Sequence, residues 1–432
     1  MGEIEKRRHS VTLDRPNCKG CTTCIRYCPT QAIRVQQGKA KIIDERCIDC
    51  GECIRRCQYH AKKAITDGFE LLDNYKYNIA LPAPAFCGQF SKANDLDIIL
   101  TGLKKLGFDH VFEVARGAEV VTAKMKELLA TGLIEAPIIS SACPAVVRLI
   151  AVKYHDLMGH VAPLTSPMEA AAEMARKEAR EKTGLPDEDI GVFFITPCPA
   201  KVTAIKWPLA LDKSHVNGAI SIKDVYMRLA HGIHKIDQVE KLSTAGADGV
   251  RWANHGGEAE ALGIERYIAV DGIANVMEVM EKLEDEMIKG IDFIEALACT
   301  GGCVGGSLTV ENNFVANSRL RRLSNNIENE PNEIPKLDGI LWNRKIEYKP
   351  FSPLDENFGE ALKKAARMNE IIAGLPQLDC GSCGAPTCKD LAEDIVRGKA
   401  NETDCIFKLR ERVSMLAREM AELESKLPPS ME

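Results

Sequence analysis

The chain holds 17 cysteines in 432 residues, and all but Cys87 sort into four groups of four. Cys18, Cys21, Cys24 and Cys28 have the spacing C-x2-C-x2-C-x3-C, and Cys47, Cys50, Cys53 and Cys57 repeat it. Three closely spaced thiolates can wrap one cubane; the fourth, held off by a turn, serves the other cube. The spacing therefore predicts one [4Fe–4S] cluster on Cys18, Cys21, Cys24 and Cys57. A second is predicted on Cys47, Cys50, Cys53 and Cys28. A pair of zinc sites is the alternative that C-x2-C also allows. Cys380, Cys383, Cys388 and Cys405 form a further set, opening as C-G-S-C-G-A-P-T-C, whose Gly381, Gly384 and Pro386 suit a tight loop around a cube or a zinc ion.

The middle set is spread over three loops: Ser140-Ser141-Ala142-Cys143-Pro144, Thr196-Pro197-Cys198-Pro199-Ala200-Lys201, and Glu295 through Gly306 with Cys299 and Cys303. A lone cysteine near a turn is usually a small buried hydrophobe. Together these loops resemble the signatures T-S-C-C-P, M-P-C-x-x-K and E-x-M-x-C-x-x-G-C-x-x-G of the [FeFe]-hydrogenase catalytic domain. Ala83-Pro84-Ala85 resembles its A-P-S/A loop, Gly107 through Phe112 its G-F-D-x-V-F segment, and His255 through Ala261 its T-G-G-V-x-E-A segment. The resemblance covers roughly residues 76–345. The C-terminal cysteine set is similar to a small helical iron–sulfur domain of anaerobic electron-transfer and sensory proteins.

The resemblance implies roles. Cys143, Cys198, Cys299 and Cys303 would hold an H-cluster, a [4Fe–4S] cube joined to a diiron unit carrying CO, cyanide and an azadithiolate, with Cys303 as the bridge. Lys201 would donate to one cyanide, and Pro84 and Ala85 would approach the other through backbone. Lys201, Ala142 and Glu295 fall at catalytic positions. With the H-cluster and three further [4Fe–4S] clusters, the implied substrates are H2 and protons, and the implied partner is a redox or signalling protein.

The departures are as informative. Fast members of the family carry a proton-passing cysteine where Ala142 stands and a glutamate where Ala204 stands; Thr196 and Leu297 replace two methionines. A methyl group neither gives nor takes a proton, so two links of the usual acid–base relay are missing. This fits a slow, sensory hydrogenase of the group that lacks a PAS domain (group D). A non-enzymatic polyferredoxin-like or cluster-assembly protein without the diiron unit is the alternative.

Stepping from residues to elements, 45% hydrophobic and 27% charged residues indicate a globular chain. A net charge of −6 argues against nucleic acid as a partner, and no apolar run is long enough for a membrane span. The expected location is cytoplasmic, where clustered thiols read as metal ligands rather than disulfides. The expected class is α+β and multidomain. Residues 1–75 form a two-cluster ferredoxin-like head. Residues 76–345 form an α/β domain with parallel strands near 77–81, 136–140 and 191–196 and a helix near 167–183. Residues 346–432 form a helical four-cysteine domain, after a linker near 326–355. Ile406, Leu409, Val413, Leu416, Met420, Leu423 and Leu427 recur at alternating steps of three and four, an a/d stripe. That stripe either packs on its own domain or forms a self-dimerising or partner-binding coiled coil.

Overall fold

A computed structural model describes residues 9–327, 333–346 and 353–426. It is a mixed α/β protein in which the two ferredoxin-type cysteine motifs are followed by an α/β domain with parallel sheets and a C-terminal helical region. The described residues gather into two compact units. Among the described residues the larger draws on 9–12, 48–55, 63–327 and 333–346; the smaller draws on 13–47, 56–62 and 353–426.

In the larger unit, β1 (Tyr77–Pro82), β2 (His110–Val111), β4 (Ile190–Thr196) and β5 (Gly218–Ser221) form one parallel sheet in the order β2-β1-β4-β5. A second parallel sheet has the order β6-β7-β3, with β3 at Ile138–Ile139, β6 at Tyr267–Asp271 and β7 at Phe293–Leu297. Every residue of β4 is buried, as expected for a strand covered on both faces. The predicted run at 136–140 shrinks to two paired residues. Pro137 offers no N–H to the ladder, and the chain turns at Ser140 toward its cysteine.

Helices α1 (Val114–Thr131), α2 (Pro144–Lys153), α3 (Pro167–Thr183) and α4 (Pro199–Lys206) surround the sheets. The expected helix at 167–183 is α3, closed by Gly184 in the left-handed region. It packs against α1 so closely that a Cβ on Gly117 would lie 2.2 Å from the Pro167 carbonyl oxygen. The described part of the expected linker is tied down. Leu341 bridges Leu164, and the Trp342 N–H donates to Pro163 O at 2.9 Å.

The second cysteine motif contributes Ile48–Arg55 to this unit. Asp49, 2% exposed, accepts from the Ser10 and Val11 N–H groups at 3.1 and 3.2 Å and pairs with Arg148 of α2 at 3.4 Å. A buried carboxylate is tolerable only with such partners.

The smaller unit combines an antiparallel hairpin, Ile33–Gln36 with Lys39–Ile42, and helices α5 (Phe358–Gly374), α6 (Cys388–Val396) and α7 (Ile406–Ser425). Arg34 binds Asp390 at 3.0 Å and Asp394 at 2.6 Å, all buried. Arg46 reaches Asp390 at 3.4 Å and Glu393 at 2.5 Å. The Val35 N–H donates to Gly384 O at 2.8 Å, and a Cβ on Gly384 would lie 1.8 Å from Val35 O. Glycine is required at that contact. The α7 stripe does not pack on its own domain among the described residues: Ile406, Leu409, Val413, Leu416, Met420 and Leu423 are all exposed. Leu427 lies outside the described residues.

Removing one partner of a buried ion pair costs about 3–5 kcal/mol. Asp390→Ala takes one carboxylate from both Arg34 and Arg46, leaving Asp394 beside the first and Glu393 beside the second, so a loss of about 3 kcal/mol is expected in denaturant unfolding of the smaller unit. Exposed Glu370→Ala should change it by less than about 0.5 kcal/mol.

Candidate metal centre

Cys143, Cys198, Cys299 and Cys303 line one cavity of about 80 Å³ in the larger unit, well above the ~30 Å³ share of a single water. Apart from Lys201 its wall is otherwise largely apolar and includes Ala83, Pro84, Ala142, Met168, Phe194 and Leu297. Each loop that delivers a cysteine leaves the carboxyl end of a parallel strand: β3 leads to Cys143, β4 to Cys198 and β7 to Cys299. Loops at such strand ends are where open α/β sheets place ligands. Cys143 and Cys198 are the N-cap residues of α2 and α4, each followed by proline at the first helical position. Negative charge on those sulfurs is favoured by the helix N-termini.

Burial pushes the Cys198 and Cys299 thiols up, and the Cys303 thiol up to about 12. Such thiols ionise readily only when a metal takes the proton's place. Two cations oppose the burial. The Arg55 guanidinium donates to Cys299 Sγ at 3.4 Å. Burial lowers the Lys201 pKa, while Cys303, Cys198 and Cys143 act against that shift. A thiol-lined, apolar cavity with an enclosed ammonium fits an anionic iron–sulfur group bearing anionic ligands. Cys50 of the second ferredoxin-type motif lines the same cavity. Its neighbour Gly51 is held so tightly that a Cβ would lie 2.3 Å from Ser307 Oγ.

In the smaller unit, Cys18, Cys21, Cys24 and Cys57 line a separate cavity together with Lys62. The Ala40 N–H donates to Cys18 Sγ at 3.4 Å and the Ala61 N–H to Cys57 Sγ at 3.3 Å. Lys62 Nζ is buried without a hydrogen-bond partner. An orphan ammonium facing four sulfurs fits a cluster of net negative charge. Cys28 and Cys47 also belong to the smaller unit, whereas Cys50 and Cys53 belong to the larger. Cys405 is buried in the same small core that Cys383 and Cys388 pack against, and the Arg26 guanidinium donates to Cys380 O at 3.2 Å. Cys87 is buried in a core that includes Ala85, Phe86 and Phe90.

Around Ala142 the structure adds a residue that the motif pattern did not single out. Ala142 is buried, and its N–H donates to Ser140 Oγ at 3.2 Å. Ser140 Oγ in turn donates to Glu258 Oε2 at 2.6 Å. Glu258 is buried beside Glu295, which accepts from the Gly256 and Ala259 N–H groups at 2.9 Å each. Burial, then the neighbouring Glu295, pushes the Glu258 carboxyl up to about 8; burial pushes Glu295 up to about 7. The signal was present in the sequence: Glu258 occupies the valine of the family segment T-G-G-V-x-E-A. A neighbouring cavity shares Ala142, Pro144, Met168 and Lys201 with the first and is further lined by Glu169 and Ala204. Glu169 is committed elsewhere, accepting from Ser214 Oγ at 2.6 Å and the His215 N–H at 2.8 Å. Thr196, at the first methionine position, exchanges hydrogen bonds with the Cys198 backbone at 3.0 Å.

The family profile described as "Iron only hydrogenase large subunit, C-terminal domain" matches residues 76–263 and 213–307, more than half of the chain. The chain belongs to this iron-only hydrogenase family. A 4Fe-4S dicluster domain profile matches residues 10–58, and a putative Fe-S cluster profile matches 375–407. Iron hydrogenase 1 of Clostridium pasteurianum is 25% identical over 384 residues, covering 70% of this chain and 65% of that protein. The periplasmic [Fe] hydrogenase large subunit of Nitratidesulfovibrio vulgaris is 28% identical over 212 residues, covering 45% and 50%. The NADP-reducing hydrogenase subunit HndD of Solidesulfovibrio fructosivorans is 26% identical over 245 residues, covering 48% and 41%. The chain thus spans 41–65% of the length of these curated relatives. Among solved structures, a variant of the [FeFe]-hydrogenase HydA1 from Chlamydomonas reinhardtii is 19% identical with a TM-score of 0.45, covering 57% of this chain and 84% of that one. No helix among the described residues is long and apolar enough to cross a membrane.

The raised Glu258 carboxyl fixes a pH dependence. Between about 4.5 and 8 the folded chain holds a proton that the unfolded chain has released, so this contribution to stability falls as pH rises through that window. Glu258→Gln removes it. Thermal unfolding from pH 5 to 8.5 should show a shallower decline in the variant; parallel curves would contradict the assignment.

Proposed function

We propose that the chain is a slow, sensory [FeFe]-hydrogenase of the kind lacking the thiol relay. It reacts reversibly with H2 and passes electrons or redox state through its iron–sulfur clusters to a redox or signalling protein. The observation that carries this reading is Ala142. It lies in the wall of the four-cysteine cavity where the family's proton-passing thiol belongs, with Glu258 one serine away. An H-cluster bound on Cys143, Cys198, Cys299 and Cys303 supplies the conversion of H2 to two protons and two electrons.

The chain's own residues divide the remaining work. Lys201 offers a charge-assisted donor from the cavity wall. Pro84 and Ala85 present a short turn after β1 with Ala83 as its N-cap. Ala142, a methyl, excludes water and moves no proton. Ser140 and Glu258 hold a proton beside it, and Glu295 shares the buried charge, so only one carboxyl of the pair readily ionises. A carboxyl with a pKa near the working pH is suited to give and take protons. Cys50, from the second ferredoxin-type motif, reaches the same cavity, and a cluster held by that motif would supply the route for electrons. The set Cys18, Cys21, Cys24 and Cys57 and the set Cys380, Cys383, Cys388 and Cys405 then lie within one compact unit. We divide the chain by cofactor into 1–75, 76–345 and 346–432. A cytoplasmic location suits this thiol chemistry.

After maturation, infrared spectra should show CO and cyanide bands. Their absence from fully matured protein would leave the non-enzymatic iron–sulfur reading. Glu258→Gln should keep those bands while lowering H2 oxidation and evolution roughly 10- to 1,000-fold. Ala142→Cys should change the pH profile of turnover. Wild-type rates matching fast members of the family would sink the slow-sensor reading.

A further inference from the structure

The last helix, α7, is a surface without a purpose in the hydrogen chemistry. Ile406, Leu409, Val413, Leu416, Met420 and Leu423 stand 43–65% exposed along one stripe. These residues occupy a and d positions over two and a half heptads. Apolar side chains exposed in a row at that spacing call for a facing helix.

The charges beside the stripe say which helix fits. The e positions are Arg410, Ala417 and Glu424, and the g positions are Arg412, Glu419 and Lys426. Among the described residues Arg410, Arg412, Glu419 and Glu424 make no ion pair within the chain. Their neighbours off the stripe do pair, Lys408 with Glu411 at 2.9 Å and Lys426 with Glu422 at 2.6 Å. In a parallel pair of identical helices, each g residue faces the e residue of the next heptad. Arg412 would then face alanine, and Glu419 would face the partner's Glu424, a repulsion occurring twice. In an antiparallel pair, g faces g and e faces e. Arg412 then meets the partner's Glu419, twice over, and Arg410 faces the partner's Ala417, so no like charges are opposed.

The same antiparallel register aligns the whole stripe. Ile406 meets the partner's Leu423, Leu409 meets the partner's Met420, and Val413 meets the partner's Leu416. No a or d position between 406 and 423 is left over. Opposed helix dipoles also favour this orientation.

We infer that α7 pairs with α7 of a second copy of this chain as an antiparallel coiled coil, stapled by Arg412 to the partner's Glu419 on both sides of the pair. The pairing is independent of whether the larger unit turns over hydrogen. It has a consequence for the adjacent cysteine set. Cys405 is the N-cap of α7, and a 20-residue helix is about 30 Å long. Antiparallel pairing sets the two Cys405 ends about that far apart along the axis, so the copies are joined without joining their C-terminal clusters.

The test uses the full cluster-loaded chain in sedimentation equilibrium, with circular dichroism and iron content as controls for folding. The wild type should sediment as a dimer that dissociates on dilution. Leu416→Glu should make it monomeric with unchanged iron. Glu419→Arg decides the orientation, because it leaves the helix intact while reversing one charge. In the antiparallel pair it replaces two attractions with two repulsions and should weaken dimerisation roughly tenfold. The double variant Arg412→Glu with Glu419→Arg should restore it. In a parallel pair Glu419→Arg would instead tighten the dimer, which overturns the inference. A wild type that stays monomeric would give the stripe to a different protein and overturn it too, as would a dimer indifferent to Leu416→Glu.

Discussion

Burial of sulfur is the constraint on which the larger unit depends. The thiols of Cys198, Cys299 and Cys303 sit where water is excluded, and burial alone keeps them protonated. A site that must hold thiolates needs compensation from its own scaffold. The two parallel sheets provide it by geometry: their strands end at one place, and the helices that follow point their N-termini back toward it. Lys201 on α4 and Arg55 on the inserted 48–55 segment add discrete positive charge. The near-complete burial of β1, β4 and β7 follows from this arrangement. Strands that bring loops to a buried centre must be covered on both faces.

The inserted segment also explains why the chain does not divide cleanly at the end of its head. Ile48–Arg55 is tied to the larger unit by Asp49 and Arg148 and by the Gly51 approach to Ser307. The hairpin at 33–42 is tied to the C-terminal helices by Arg34 and Arg46. Each of these ion pairs joins residues far apart in sequence, and the motif spacing carries no record of them. Cysteine spacing specifies which thiols can share a cube. It does not specify which larger body a cube-binding loop rests on, because that choice is made by single buried charges outside the motifs.

Other features were legible early. The strand runs near 77 and 191, the helix at 167–183 and the three cysteine loops needed only periodicity, turn residues and family pattern. The strand at 136–140 was overestimated because Pro137 cannot extend a ladder. The linker near 326–355 was read from composition, yet its 340–342 stretch packs on 163–165 through backbone bonds that composition does not encode. The α7 stripe was visible as a period, but whether it faced inward could be decided only by its exposure. Glu258 lies in a family-like segment without a cysteine, and its burial beside Glu295 is a tertiary feature that the motif spacing does not encode.

That residue changes how the missing thiol should be understood. Ala142 alone reads as a loss. A buried glutamate in a position patterned for valine is costly unless its proton or charge serves something. Here the cost is visible: a second carboxyl, Glu295, lies close enough to raise it further, and the one hydroxyl that holds it also accepts the Ala142 N–H. A thiol ordinarily ionises near 8.5, and Glu258 is brought to about 8 by its surroundings. Desolvation brings this carboxyl close to the ordinary acidity of a thiol. In the reading proposed above, the proton-holding atom moves from the first cysteine loop to the 255–261 segment, and the alanine and the buried glutamate are two halves of one substitution.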